Sequence, residues 1–279
     1  MSVNDRRSLS PELRSRYEKL LDWMRPHGRM AVGYSGGVDS SLVLRAACDA
    51  LGRDNALGIL IKSELVSGAE LAVARKVAED QGLPVEEVGF SALAVKEVAS
   101  NPPDRCYFCK KGVFETIFEA ARRQGYENVA DGNTYEDLKD PHRPGMRAAE
   151  ELGVLSPLLE LEMEKPEIRR LSEALGLPNW SKPTEACLAS RIPYETALTQ
   201  ERLTRVESAE KFLKEHDFEQ VRVRHLGNKA RIEVPADDIE RLTAEPLRQM
   251  VETELTRLGF ETIEVDPKGY RTGSMNEEL

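Results

Sequence analysis

Four stretches of this 279-residue sequence carry side chains with chemistry to offer. The first is SGGVDSS, residues 35–41. Gly36 and Gly37 let the backbone approach an anion closely, and Ser35, Ser40 and Ser41 add hydroxyl donors. Asp39 is the odd member, because it would repel a phosphate; a bridging Mg2+ resolves that conflict. The plainer reading is a turn with Asp39 or Ser40 as helix cap. The stretch lacks the lysine of the Walker pattern and the spacing of G-x-G-x-x-G, so it is neither of those phosphate sites. The second is Cys187, inside SKPTEACLASRIP at 181–193. Lys182 and Arg191 flank it, and nearby cations favour a nucleophilic thiolate. Pro183 and Pro193 mark a shaped loop, a common seat of function. A lone cysteine can equally be a small buried hydrophobe.

The third stretch, RCYFCKKG at 105–112, holds a C-x-x-C at a loop-to-helix junction. Such a pair can be redox-active, bind zinc with a second pair, or join an iron–sulfur site. No second C-x-x-C exists, which argues against structural zinc. Cys106, Cys109 and Cys187 together can hold a cluster with one open iron. Alternatively the thiols only pack, and Arg105 or Lys110 faces phosphate. The fourth stretch is VRVRHLGNKARIEV, residues 221–234. The period of two puts Val221 and Val223 on one face of a strand and Arg222 and Arg224 on the other. Across the turn, Arg231 and Glu233 share the arginine side. Two neighbouring guanidinium forks suit phosphate or carboxylate, unless the face is merely solvated and ion-paired.

Strands alternating with helices position these groups. RMAVGY at 29–34 leads into the glycine stretch, and SLVLRAACDALG follows it as a helix ending at Gly52. NALGILIK, PVEEVGF and ENVADGN are further strands. Helices are predicted at 11–25, 68–82 and 109–125. This order implies βαβ units and a parallel sheet covered on both faces. After about residue 180 the style changes to a helix over 199–216, a hairpin turning at Gly227-Asn228, two more helical stretches to Gly259, and a strand FETIEVD. The predicted fold class is α/β. Residues 1–180 form the parallel-sheet domain and 181–279 a smaller α+β domain with Cys187 and the arginine hairpin. The tail RTGSMNEEL reads as disordered.

The net charge of −10 argues against bulk binding of nucleic acid or an anionic membrane. No apolar run approaches the ~20 residues that cross a bilayer, and MSVNDRRSLS lacks a signal-peptide core. A cytoplasmic protein is expected. Four cysteines in a chain this long are no disulfide framework.

The order strand, SGGVDSS, helix closely resembles the pyrophosphate-binding loop of the ATP pyrophosphatases, the PP-loop family. That resemblance implies an adenine nucleotide α-hydrolase-like domain that cleaves ATP between the α and β phosphates. It implies ATP contacts from Ser35, Gly36, Gly37, Asp39 and Ser40, with Mg2+ at Asp39. It puts adenine beside LIKSEL at 60–65, hence near Lys62. With RCYFCKKG, DGNTYEDLKDPHRPGMRAAEELGVLSPL, KPEIRRLSEALGLPNWSKPTEACLASR and RVR…ARIEV added, roughly residues 12–265 resemble the LarE family of ATP-dependent sacrificial sulfur insertases of nickel-pincer nucleotide synthesis. The resemblance implies adenylylation of a pyridinium-3,5-biscarboxylic acid mononucleotide with ATP and Mg2+. Cys187 then attacks the acyl adenylate. Cleavage of its C–S bond leaves a thiocarboxylate on the product and dehydroalanine in the chain. Arg191, Arg222 and Arg224 would hold the substrate's phosphate. Glu210 and Glu233 would help remove the proton lost at Cys187, or bind a metal there. Homo-oligomers are implied too. Some relatives use a three-cysteine cluster carrying an extra sulfur, which keeps Cys106 and Cys109 in play. The rivals are an ammonia-dependent amidase of the NAD synthetase kind, a tRNA thiolase, and an ATP-sensing module.

Overall fold

The computed structural model describes residues 9–139, 144–183 and 185–271. Most of the tail expected to be disordered, and residues 140–143 of the long DGNTYEDLKDPHRPGMRAAEELGVLSPL stretch, lie outside these. In chain order the elements are α1 (Pro11–Met24), β1 (Met30–Tyr34), α2 (Val38–Leu51), β2 (Ala56–Lys62), α3 (Gly68–Gln81), β3 (Val85–Gly89), α4 (Lys96–Ala99), α5 (Arg105–Arg123), β4 (Asn128–Ala130), α6 (Pro144–Glu151), α7 (Pro157–Glu160) and α8 (Lys165–Ala174). Then follow α9 (Gln200–Lys214), β5 (Arg222–Leu226), β6 (Lys229–Glu233), α10 (Ala236–Thr243), α11 (Leu247–Arg257) and β7 (Thr262–Val265). No described helix is long and apolar enough to cross a membrane.

The chain forms two compact units. The first takes in the chain up to Val95 and again Asp104–Glu185; the second takes in Lys96–Pro103 and the chain from Ala186 on. The expected single change of style near 180 is thus two findings. The chain leaves the first unit after Glu185, and it makes an earlier excursion into the second at 96–103.

The first unit is built on a parallel sheet in the order β3-β2-β1-β4. MAVGY and ALGILIK are apolar on both faces, as a strand covered on both sides requires. The covering layers divide by helix. Tyr17 and Leu21 of α1, Leu42 of α2, Ala74 of α3 and Leu171 of α8 join one core with Met30 and Val32 of β1. Phe114 and Ile117 of α5 join another with Ala31 of β1 and Ile59 of β2. Because β2 lies on one side of β1 and β4 on the other, the winding direction reverses between β1 and β4. A ligand crevice is expected beyond the carboxyl ends of strands at such a switch point. SGGVDSS follows β1 there, and Asp131 follows β4.

The second unit pairs β5 with β6 antiparallel and β6 with β7 parallel. Gly227 takes φ +65° at the hairpin turn, as a two-residue loop of this kind demands. Val223, Ile232, Leu213 of α9, Leu255 of α11 and Phe260 fill its core. Asn101, fully buried with φ +60°, locks the 96–103 excursion in place. Its Nδ2 donates to the carbonyls of Pro193 (2.8 Å) and Thr196 (3.0 Å), and its own carbonyl accepts from Glu195 N.

Helix α5 begins at Arg105, not Cys109, so Cys106 joins Cys109 in its first turns rather than standing ahead of it. The alternation in the hairpin is as predicted, yet the arginine side is not an open platform. Arg222 and Arg224 are 4% and 5% exposed, because other parts of the same unit cover that face.

Candidate active site

Functional side chains gather in each unit, beginning with the glycine stretch. Helix α2 starts at Val38 with Gly37 as its N-cap, so neither Asp39 nor Ser40 caps it. Ser40 Oγ instead accepts from Ser35 N (3.2 Å) and contacts Ser35 Oγ (3.1 Å), which folds the loop back on the helix start. A helix of this length presents unpaired N–H groups and a partial positive charge at that end. Gly36 sits at φ +72°, and a Cβ there would lie 2.5 Å from the Cα and Cβ of Ala74. Gly132, just past β4, comes so close to the loop that its Cβ would lie 2.8 Å from Ser40 N. Both glycines are required by close approach.

Asp39 has a partner that reading along the sequence does not reveal. Its Oδ2 accepts from Lys165 Nζ at 2.5 Å. Lys165 is the first residue of α8, where a cation opposes the helix dipole. That misplacement is the signal that could have exposed its role. Asp39 Oδ1 is buried with no hydrogen-bond partner. Burial pushes the Asp39 carboxyl up from its usual range, against the pull of Lys165. Asp131 is buried behind the loop and accepts from Asn133 N (3.0 Å) and Ser156 Oγ (2.8 Å). Burial pushes its carboxyl up as well, opposed mainly by the charge of Lys110. Asp137, whose charge bears on both carboxyls, accepts from Thr134 N (2.7 Å) and Oγ1 (2.9 Å). Asp131 and Asp137 are further residues missed from sequence, although an aspartate directly after a strand at a switch point is itself a signal.

Mg2+ is usually held by one or two carboxylates plus substrate phosphate oxygens. The unpartnered Oδ1 of Asp39 fits that demand. Among the described residues, no three His, Cys, Asp or Glu side chains are gathered to hold a metal by themselves. Lys62, at the end of β2, is exposed, and its carbonyl accepts from Phe90 N at 2.9 Å. Cys106 is exposed and Cys109 half-buried on α5 of the first unit, whereas Cys187 belongs to the second. Arg105 is buried, with Nη2 3.9 Å from Cys106 Sγ, rather than turned outward.

In the second unit Cys187 caps a short 3-10 turn, Leu188–Arg191. It is half-buried, unlike the buried Cys48, so it is not simply core filler. Leu188 and Ala189 anchor the turn in the core. Arg191, 2% exposed, grips it from the other end. Its Nη1 donates to the carbonyls of Ala186 (2.6 Å) and Cys187 (3.1 Å) and to Ser190 Oγ (2.9 Å). Its Nε and Nη2 take both oxygens of Glu210 at 2.8 and 3.0 Å. Glu210 on α9 also accepts from Val223 N of β5 at 3.0 Å. A second fork-to-fork pair lies alongside. Arg224 Nε and Nη2 hold Glu233 at 2.9 and 2.7 Å, and Arg224 Nη1 donates to Ser190 O at 2.6 Å. Ser190 therefore joins both clamps. Arg222 donates from Nη1 to Val221 O (2.8 Å) and lies over the Tyr270 ring.

These contacts revise four expectations. The forks of Arg191 and Arg224 are filled by carboxylates, so neither is turned toward a phosphate. Both oxygens of Glu210 and of Glu233 face guanidinium groups, so neither carboxylate is set to take a proton from Cys187. Paired planar forks of this kind are strong and directional. What they fix is the backbone on either side of the Cys187 thiol.

Comparison with known proteins agrees with this geometry. Residues 24–100, which span β1, the glycine loop, β2 and β3, match the NAD synthase family model. The chain is 40% identical over 268 residues to the uncharacterized protein slr1717 of Synechocystis sp., covering 96% of this chain and 99% of that one. It is 29% identical over 244 residues to the uncharacterized protein MJ0830 of Methanocaldococcus jannaschii, covering 88% and 91%. It is 37% identical over 251 residues to the pyridinium-3,5-bisthiocarboxylic acid mononucleotide synthase of Lactiplantibacillus plantarum, covering 90% of each chain. With the PP-loop at the switch point of its sheet and likeness running through both units, the chain belongs to the LarE family.

Proposed function

We propose that this protein is an ATP-dependent sulfur transferase acting on pyridinium-3,5-biscarboxylic acid mononucleotide, with Cys187 as sulfur donor in nickel-pincer nucleotide synthesis. The observation that carries the reading is a half-buried thiol on a turn whose carbonyls are gripped from both sides, in a chain whose other unit has a PP-loop. A rigid, partly exposed thiol is what a nucleophile needs.

The first unit binds ATP at residues 35–41. Loop N–H groups, Ser35, Ser40 and the α2 N-terminus would face the phosphates, Lys62 would lie on the adenine side, and Asp39 would hold Mg2+. When bound, Mg2+ offsets the charge that builds on pyrophosphate. Lys165 balances Asp39 and stands ready to donate to phosphate. A substrate carboxylate oxygen attacks the α-phosphorus, and pyrophosphate leaves. The Cys187 thiolate then adds to the activated carbonyl carbon and AMP leaves, which forms a thioester. Loss of the Cys187 α-proton and cleavage of its Cβ–S bond give the thiocarboxylate, with dehydroalanine left at 187. Arg191 with Glu210, and Arg224 with Glu233, keep the cysteine turn fixed throughout. Arg222, which lies over the Tyr270 ring, we assign to the anionic substrate.

Replacement of Cys187 separates the two halves of this scheme. Cys187→Ala is expected to release pyrophosphate with the dicarboxylate substrate and to form no thiocarboxylate. Thiocarboxylate at the wild-type yield would sink the reading.

A further inference from the structure

The glycine loop is braced from behind by a residue more than a hundred positions away in sequence. Asn179 lies after α8 and is 5% exposed. Its Nδ2 donates to Gly36 O at 2.9 Å and to Ser41 Oγ at 2.9 Å, so both amide protons are used on the loop and the start of α2. Ser41 is fully buried, and its hydroxyl bears on the Tyr34 phenol. Tyr34 in turn donates to Ala74 O at 2.9 Å. Ala74 is the residue against which Gly36 packs. Asn179, Ser41, Tyr34 and Ala74 thus enclose the Gly36 peptide.

The peptide after Gly36 is where polarity matters. A glycine at φ +72° can turn that plane at little steric cost. A trans peptide carries C=O and N–H on opposite edges. Tying Gly36 O to Asn179 therefore turns the Gly37 N–H the other way, to the exposed side, where it meets Ser35 Oγ at 3.3 Å. The reverse orientation would present a carbonyl oxygen to an anion. Asn179 Oδ1 is buried and has no hydrogen-bond partner. A buried polar atom left unpaired is costly and rare. What the site gains from the side chain is the donation by Nδ2.

We propose that Asn179 is a positioning residue for the phosphate loop: it holds the Gly36 carbonyl and the Ser41 hydroxyl so that the Gly37 N–H faces the phosphate chain. This rests on residues 35–41 being the ATP loop. The role concerns phosphate grip rather than adenosine, which sets the test. Calorimetric titrations of the full chain with Mg2+-pyrophosphate and, separately, with AMP compare the wild type with Asn179→Leu. Leucine keeps the shape and removes the donor. The loss of oriented hydrogen bonds to a charged ligand predicts that the pyrophosphate dissociation constant rises about tenfold or more, while that for AMP stays within about twofold. Equal changes for both ligands, or no change in a variant with the wild-type circular dichroism spectrum, overturn the proposal. If Asn179→Leu does not fold, Asn179→Ala takes its place with the same expectation. Failure of the wild type to bind Mg2+-pyrophosphate overturns the reading of the loop itself, and the proposal with it.

Discussion

Replacing Arg191 by methionine tests whether the cysteine turn is held as described. Arg191 and Glu210 are buried, with side chains 3% and 6% exposed. Methionine keeps the apolar stem but leaves the Glu210 charge without its cation. Breaking a buried pair in this way costs about 3–5 kcal/mol. The carbonyls of Ala186 and Cys187 lose their donor too, at about 1 kcal/mol each. Against a net stability of ~5–15 kcal/mol this is a large fraction. At roughly 2–4 °C per kcal/mol the unfolding midpoint falls by ~10–28 °C. The partner change Glu210→Leu, made together with Arg191→Met, removes the orphaned charge and restores most of that loss. It does not restore the grip on the two carbonyls. In the double variant Cys187 is therefore expected to react faster with iodoacetamide, measured by peptide mass, while sulfur transfer stays low. A single-variant cost below ~1 kcal/mol, the value of an exposed pair, would refute the clamp. So would full sulfur transfer by the double variant.

Other expectations follow from the same contacts. Gly36→Ala puts a methyl group 2.5 Å from Ala74 at a left-handed backbone position; beyond the ~1–2 kcal/mol of strain for the conformation alone, ATP-dependent pyrophosphate release should be lost, and a near wild-type rate would contradict the loop geometry. His225 is buried, neither ring nitrogen has a hydrogen-bond partner, and burial pushes its pKa below the usual value. The neutral ring is favoured in the fold, so this stability is present above the unfolded value of ~6.5 and is lost as pH falls through the lower folded value. His225→Phe should accordingly lose less thermal stability than wild type between about pH 7 and pH 5; equal losses would show that His225 does not set the acid response. The double change Cys106→Ser with Cys109→Ser should leave single-turnover sulfur transfer in place, whereas its loss, together with iron in the wild-type protein, would favour the cluster type of relative.

The loop and the sheet are legible in sequence because their signals are local. Apolar runs of strand length, two glycines and a helix pattern follow one another within residues 29–52. Asn179 carries no such signal and Lys165 only its misplacement at a helix N-terminus, because they meet the loop from 143 and 126 residues away. The period of two gave Arg222 and Arg224 a common face correctly. It holds no information on whether that face is covered, and α9 and the 3-10 turn cover it. Asn101 is illegible for a related reason, since a buried asparagine at positive φ is chosen by the carbonyls of 193 and 196, far along the chain. Cys187 was singled out by its flanking cations and prolines. Arg191 does sit beside it, yet it grips the backbone carbonyls and Glu210.

The sacrifice of Cys187 is tested most directly by intact-protein mass before and after one turnover with ATP, Mg2+ and pyridinium-3,5-biscarboxylic acid mononucleotide. Loss of hydrogen sulfide from cysteine lowers the mass by about 34 Da, whereas oxidation of the thiol would raise it. The account predicts that decrease, mapped to residue 187, in step with thiocarboxylate formed. Thiocarboxylate appearing while Cys187 keeps its mass would contradict it.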